Sequence, residues 1–163
     1  MKAADFMTAP VFATRPESAI RDAARMLVAN HISSLPVTNR QHELVGIVTE
    51  SELFRATALG HGASRGGVGV PDLPRLVREV MRRDPLWVRS SDTVELCLQL
   101  MMRRRGRSLP VLHHGRVAGI ITRRDLLAAM VGPTGQVIDH MSRATAGTCE
   151  IDLSGYDREG ALL

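Results

Sequence analysis

Ser34-Leu35-Pro36-Val37 returns as Ser108-Leu109-Pro110-Val111, and Gly46-Ile47-Val48-Thr49-Glu50-Ser51-Glu52-Leu53 returns as Gly119-Ile120-Ile121-Thr122-Arg123-Arg124-Asp125-Leu126, about 74 residues further on. Matched segments in the same order at one spacing mean an internal duplication, which sets the architecture before any single element does. Around the first copy, Ile20, Ala23, Ala24, Leu27 and Val28 recur at the spacing of one helix face, behind Ser18, a residue type suited to the N-cap. Residues 35–38 and 44–48 read as short strands joined by a loop at 39–43, and Thr49 opens a helix that runs through Leu59. Around the second copy, Val94, Cys97, Leu98, Met101 and Met102 form the helix face, and Gly106 suits a left-handed stop. Residues 111–112 and 117–121 make the second hairpin, around 113–116. A short strand precedes each main helix, at 12–14 and at 86–88.

The organisation that follows is a first repeat at 1–59, a glycine-rich linker at 60–73, a second repeat at 74–132 and a tail at 133–163. Residues 76–81 lead into the second repeat much as 4–7 lead into the first, and 137–141 read as a third lead-in within the tail. The chain of 163 residues is long enough for one compact body built from two halves. At 44% hydrophobic and 23% charged residues it has an ordinary globular composition, and no apolar run is long enough to cross a bilayer. No apolar stretch follows the first residues, and the two cysteines, Cys97 and Cys149, are too few for a disulfide framework; both point to a reducing cytoplasm.

Two copies of a Leu-Pro-Val strand followed by Gly-Ile-x-Thr-x-x-acid resemble a pair of cystathionine-β-synthase-type (CBS) domains, a Bateman module, over roughly residues 2–131. The resemblance implies an α/β (α+β) fold of two β-α-β-β-α repeats packed with pseudo-two-fold symmetry. It also implies clefts between the repeats that take adenosine-containing nucleotides, of the AMP, ADP, ATP or NAD class, and pairing of modules into a homodimer. The local chemistry agrees. A threonine at a helix start places a hydroxyl beside unpaired N–H groups and the positive helix end, which suits a phosphate or ribose oxygen. An acid on the first turn accepts hydrogen bonds from ribose hydroxyls, and the glycine keeps the strand slim where a ligand approaches.

Carried over position by position, the resemblance implies a main cleft of Thr8, Pro10, Phe12, Ile32 and Ser33 with Arg107, Ser108, Ile120, Thr122, Arg124 and Asp125. In it Asp125 holds the ribose, Thr122 and Arg107 the phosphate side, and Phe12 and Ile32 the adenine faces. A second, weaker cleft combines Ser34, Ile47, Thr49, Ser51 and Glu52 with Leu86, Gly106 and Arg107. Thr-x-x-acid is also the capping box that satisfies a helix start without any ligand. On Thr49-Glu50-Ser51-Glu52 capping is the expected role, because Glu52 carries an extra methylene; on Thr122-Arg123-Arg124-Asp125 ligand binding is expected.

Other chemistries find less support. His113 and His114 are neighbours on a turn whose side chains diverge, and no cysteine or carboxylate joins them at ligand spacing, so no metal is expected. No nucleophile stands with a base at a recognisable spacing, so no catalytic residue is assigned and no enzymatic activity or required cofactor is expected. The net charge of +4 gathers in arginines at 82–83, 103–105, 107 and 123–124, yet aromatic residues make up only 3% of the chain, which disfavours nucleic acid. The expectation is a cytoplasmic regulatory module that binds an adenosine-containing ligand, needs no membrane and acts on a downstream partner the sequence does not identify. The alternatives are a ligand-independent dimerisation scaffold and a nucleic-acid-binding regulator that uses the arginine surface.

Overall fold

The computed structural model of the chain describes residues 1–62, 75–103 and 106–131, without the side chains of 57–62. Most of the expected linker, Arg104 and Arg105, and the tail with its third lead-in and Cys149 lie outside the described residues. The chain forms two compact units that cross the sequence repeats: Phe12–Asp84 is one, and Met1–Val11 joined with the residues from Pro85 onward is the other.

In the Phe12–Asp84 unit, helix α1 (Ile20–Asn30) is followed by strands β1 (Ser34–Thr38) and β2 (Leu44–Thr49), helix α2 (Glu50–Gly62) and the short α3 (Val77–Val80). Ala23 and Leu27 of α1 are buried and pack with Leu35, Val37, Val48, Leu53 and Val77 into one core. The N-cap is Ala19, not Ser18; the Ser18 hydroxyl instead accepts from the Arg15 N–H at 3.3 Å. It stops at His31, in the left-handed conformation at φ 52°, with the Ile32 N–H reaching back to the Leu27 carbonyl at 3.1 Å. Strands β1 and β2 pair antiparallel with Leu35 opposite Val48 and Val37 opposite Gly46. The strand expected at 12–14 reduces to a parallel bridge between Thr14 and Val37.

The other unit repeats the plan with β3 (Val88–Arg89), α4 (Val94–Arg103), β4 (Ser108–His113), β5 (Arg116–Thr122) and α5 (Arg123–Val131). Its sheet has the order β3-β4-β5, with β3 parallel and β5 antiparallel to β4. His114 and Gly115 turn the hairpin at φ 49° and 77°, the pair of positive angles that a two-residue loop between twisted strands requires. Leu100, Met101, Leu109, Val111, Ile121 and Leu126 fill its core. Two residues expected on the apolar helix faces are not in either core: Val28 is 75% and Met102 78% exposed. Helix α4 ends at Arg103, so the stop expected at Gly106 adjoins residues outside the described set.

Each unit is closed by a lead-in from elsewhere in the chain. Before α3, the N–H groups of Arg75 and Leu76 both donate to Glu79 Oε2 at 2.6 Å; the backbone bond from Leu76 is the main reason the Glu79 carboxyl titrates below its ordinary value. Residues 3–5 form one 3-10 turn, with the Lys2 N–H on Asp5 Oδ2 at 2.7 Å. Beyond these turns the two segments lie along a strand edge. Arg82 exchanges backbone hydrogen bonds with Ile47 of β2, both at 2.9 Å, and Thr8 does so with Ile120 of β5, at 2.9 and 3.1 Å. The glycines of the repeated motif answer to this contact. A Cβ on Gly46 would lie 2.8 Å from the Arg82 carbonyl oxygen and 2.9 Å from Met81 Sδ, and one on Gly119 would lie 2.5 Å from Met7 Sδ. The space the sequence reading reserved beside each glycine for a ligand is therefore taken by the chain itself.

Cys97 lies fully buried on α4. Burial pushes its thiol from an ordinary 9.0 up to about 12, with Asp92 and Glu95 adding repulsion. The neutral thiol's contribution to stability is thus complete below pH 9.0 and is lost as pH rises toward about 12. In a Cys149→Ser chain, Cys97 will resist a thiol reagent at pH 8 until denaturant is added. Gly46→Ala will cost about 1–3 kcal/mol, the usual range for forcing an atom into a packed site, read as a lower urea midpoint at unchanged slope.

Candidate functional site

Each β-hairpin ends in a threonine that opens a helix, and both threonines build the same hydrogen-bonded cap. At α5, the Thr122 N–H and hydroxyl both donate to Asp125 Oδ2 at 2.7 Å, and the Asp125 N–H returns to Thr122 Oγ1 at 3.3 Å. At α2, the Thr49 N–H donates to Glu52 Oε2 at 2.9 Å, the Thr49 hydroxyl donates to the same oxygen, and the Ser51 N–H reaches Thr49 Oγ1 at 3.2 Å. Glu52 therefore reaches the bonds that Asp125 reaches, despite its extra methylene. In both caps a single carboxylate oxygen does the capping.

The second oxygen differs between the units, because different lead-ins face it. Asp125 Oδ1 meets the Thr8 hydroxyl at 3.4 Å, long for an O–H···O bond. Glu52 Oε1 instead meets Arg82 Nε at 3.7 Å, with the Glu52 side chain 17% and the Arg82 side chain 58% exposed. Thr8 was expected in the main cleft and is brought to Asp125. The sequence reading missed Arg82, since one arginine of an Arg-Arg pair looks like ordinary surface charge. Its position two residues after Val80, directly behind the lead-in methionine, matches that of Thr8 behind Met7, and that correspondence is the signal that could have found it.

The other expected residues divide between the units. Thr8, Pro10, Arg107, Ser108, Ile120, Thr122, Arg124 and Asp125 all belong to the unit that contains α5. Ile120 is 8% exposed and Ser108 is buried, whereas Pro10, Arg107 and Arg124 stand at the surface. Arg123, next to Arg124, turns back to donate to the Gly106 carbonyl at 3.1 Å. Phe12, Ile32 and Ser33 belong to the Phe12–Asp84 unit, as do Ser34, Ile47, Thr49, Ser51 and Glu52. There Phe12 is 49% exposed, Ile32 packs against the core, and the Ser33 carbonyl accepts the Glu50 N–H at 3.0 Å. Leu86 and Gly106, expected in the second cleft, sit in the unit of α5, where Leu86 packs against its core.

Among the described residues no three His, Cys, Asp or Glu side chains gather to hold a metal, and no helix is long and apolar enough to cross a membrane. His113 turns its Nδ1 to the Ser90 hydroxyl at 2.8 Å.

Comparison with known proteins agrees with this geometry. The CBS domain family model matches residues 3–59 and again 77–132, and the chain belongs to the CBS domain family as a tandem pair. A 17.7 kDa protein of Acidianus ambivalens is 28% identical over 95% of this chain and 93% of its own length. CBSX2, a chloroplastic CBS domain-containing protein of Arabidopsis thaliana, is 27% identical over 77% of this chain, which spans only 61% of that relative's length. The crystal structure of CBSX2 in complex with AMP superposes with a TM-score of 0.67 at 28% identity, covering 80% of this chain and 96% of that one. The CBS pair of MJ0100, solved with 5′-methylthioadenosine and S-adenosyl-L-methionine, shares the fold at a TM-score of 0.69 and 22% identity, covering 81% of this chain and 97% of that one.

The caps predict their own energetics. Thr122→Ala will cost about 1 kcal/mol, the usual loss for an N-cap hydroxyl, and Thr122→Ser almost nothing, both read from urea unfolding.

Proposed function

We propose that the chain is a regulatory module that binds an adenosine-containing ligand at the Thr122–Asp125 helix start and carries out no catalysis of its own. The observation that carries the reading is the half-used carboxylate: Asp125 caps α5 through Oδ2, while among the described residues Oδ1 meets a single long contact, from Thr8. A ribose diol supplies two O–H donors for such an oxygen, and a charge-assisted bond of that kind is roughly twice as strong as a neutral one. CBSX2, of the same family and fold, has been crystallised with AMP, which supports an adenylate as the first ligand to try. Arg107 and Arg124 supply the phosphate side. No cofactor is required. A ligand of this kind regulates by favouring the conformation that binds it better, shifting the population by that difference in affinity.

A second reading concerns assembly, in the cytoplasm expected from the sequence. Val28 and Phe54 are 75% and 73% exposed on α1 and α2, and Met102 and Leu127 are 78% and 60% exposed on α4 and α5. Each pair occupies matching places in the two repeats. A groove of about 270 Å³ beside Met101, Met102, Leu126 and Leu127 continues the same surface. Apolar side chains presented twice by one fold suit a self-complementary contact between copies, and we assign these faces to a homodimer. Phe54→Glu with Leu127→Glu will turn a dimer into a monomer in analytical ultracentrifugation; a wild-type chain that sediments as a monomer would remove this reading.

For the ligand, thermal denaturation with increasing AMP will show a concentration-dependent rise in Tm. At a hundredfold excess over Kd the stabilisation is about 2.7 kcal/mol. Asp125→Ala will abolish that rise while leaving the far-ultraviolet circular dichroism unchanged. An equal rise in the variant would remove Asp125 from the site, and no rise with any adenylate would favour the scaffold reading.

A further inference from the structure

We infer that Arg82 is an internal plug: it occupies the ligand oxygen of Glu52 and so leaves the chain with a single adenylate site, at Asp125. The inference rests on the ligand reading above, and the residues of the plug, Arg82 and Glu52, both lie within the Phe12–Asp84 unit. The two caps are chemically alike, since one oxygen of Glu52 takes the Thr49 N–H and hydroxyl as one oxygen of Asp125 takes those of Thr122. The backbone approach of the lead-in is also alike, through Arg82 to Ile47 and Thr8 to Ile120. What differs is the side chain delivered to the remaining oxygen: a hydroxyl at 3.4 Å in one case, a guanidinium nitrogen at 3.7 Å in the other.

That difference decides occupancy more than stability. An ion pair with an arginine that is 58% exposed adds little to folding. For a ribose, however, the exchange is unequal. At Asp125 the diol replaces a long neutral contact, whereas at Glu52 two neutral hydroxyls would have to displace a cation from a carboxylate that is only 17% exposed. The contact is an ion pair through one guanidinium nitrogen, at 3.7 Å, which two neutral hydroxyls would have to outcompete. The Arg82 backbone is fixed, because its N–H and C=O both pair with Ile47. A cation anchored one side chain away competes at a high effective concentration with a ligand that arrives from solution.

The test is isothermal titration of the full chain with AMP. The wild type will take one equivalent, and Arg82→Thr, which places the Thr8 side chain type opposite Glu52, will take two. Asp125→Ala will take none, the Arg82→Thr, Asp125→Ala double variant will take one, and Arg82→Lys, which keeps a cation, will stay at one. Since the Arg82 side chain takes no part in the backbone pairing, the Arg82 variants keep the fold, checked by the urea midpoint, and the Asp125→Ala chains, which lose the α5 cap, are checked by far-ultraviolet circular dichroism. One equivalent in both the wild type and Arg82→Thr, with loss in Asp125→Ala, would overturn the plug and leave the Asp125 site standing. Loss of binding in Arg82→Thr would make Arg82 a phosphate ligand and also overturn it. Two equivalents in the wild type would show the second site already open. Binding by none of the variants would overturn both readings together.

Discussion

A pair of backbone hydrogen bonds made twice, Thr8 to Ile120 and Arg82 to Ile47, closes the hairpin edge of each unit. Each adds an edge segment to a two-strand hairpin that would otherwise present unpaired N–H and C=O groups, and each comes from a part of the chain that precedes the other repeat. The N-terminal segment closes the unit built from Pro85 onward, and the segment before Asp84 closes the unit that begins at Phe12. Glycine at 46 and 119 is what permits the approach, since any Cβ there would meet the incoming methionine. The repeats are thus not two finished modules in a row. Neither completes its sheet edge with the residues that directly precede it.

The crossing also sets what stands beside each candidate ligand carboxylate. Capping and ligand binding look like rival explanations of Thr-x-x-acid when only the letters are read. The geometry makes them compatible, because a carboxylate has two oxygens and the cap uses one. Asp125 and Glu52 are held in place by their caps, which orients the second oxygen at no further expense of side-chain freedom. A binding group whose rotamer is already fixed by a structural bond loses little entropy when a ligand arrives.

Much of this was legible in the sequence. The duplication, the helix faces through Ala23, Leu27, Cys97 and Met101, both hairpins and the Thr49 cap follow from local periodicity and residue type, which act over a few residues; at Thr122 ligand binding was expected, and the structure shows a cap there as well. The crossing did not show, because the lead-ins carry the same short pattern and nothing in either names the edge it will join. Thr8 was accordingly placed with the first repeat, although it belongs to the unit of Asp125. Val28 and Met102 fitted the apolar period yet stand in solvent, since periodicity reports which residues share a face and not how far that face is covered. Arg82 was unreadable for a related reason. A charged residue gains meaning from the atom it faces, and here that atom lies 30 residues away, on α2.

A duplicated fold with two equal caps would be expected to offer two equal sites, and departure from that symmetry needs only one side chain. The caps leave the carboxylates nearly interchangeable, so the difference of a methylene between Asp125 and Glu52 is absorbed within the helix turn. The partner of the free oxygen cannot be absorbed in that way. A hydroxyl and a guanidinium differ by a full charge, at a group already partly withdrawn from water, where charge interactions are screened less than at the open surface. The asymmetry of the pair is therefore governed from the lead-ins, outside the repeated motif. On the proposed reading, a regulator with one adenylate site responds over a single range of ligand concentration, and the side chain behind the second lead-in methionine would be the position where that choice is made.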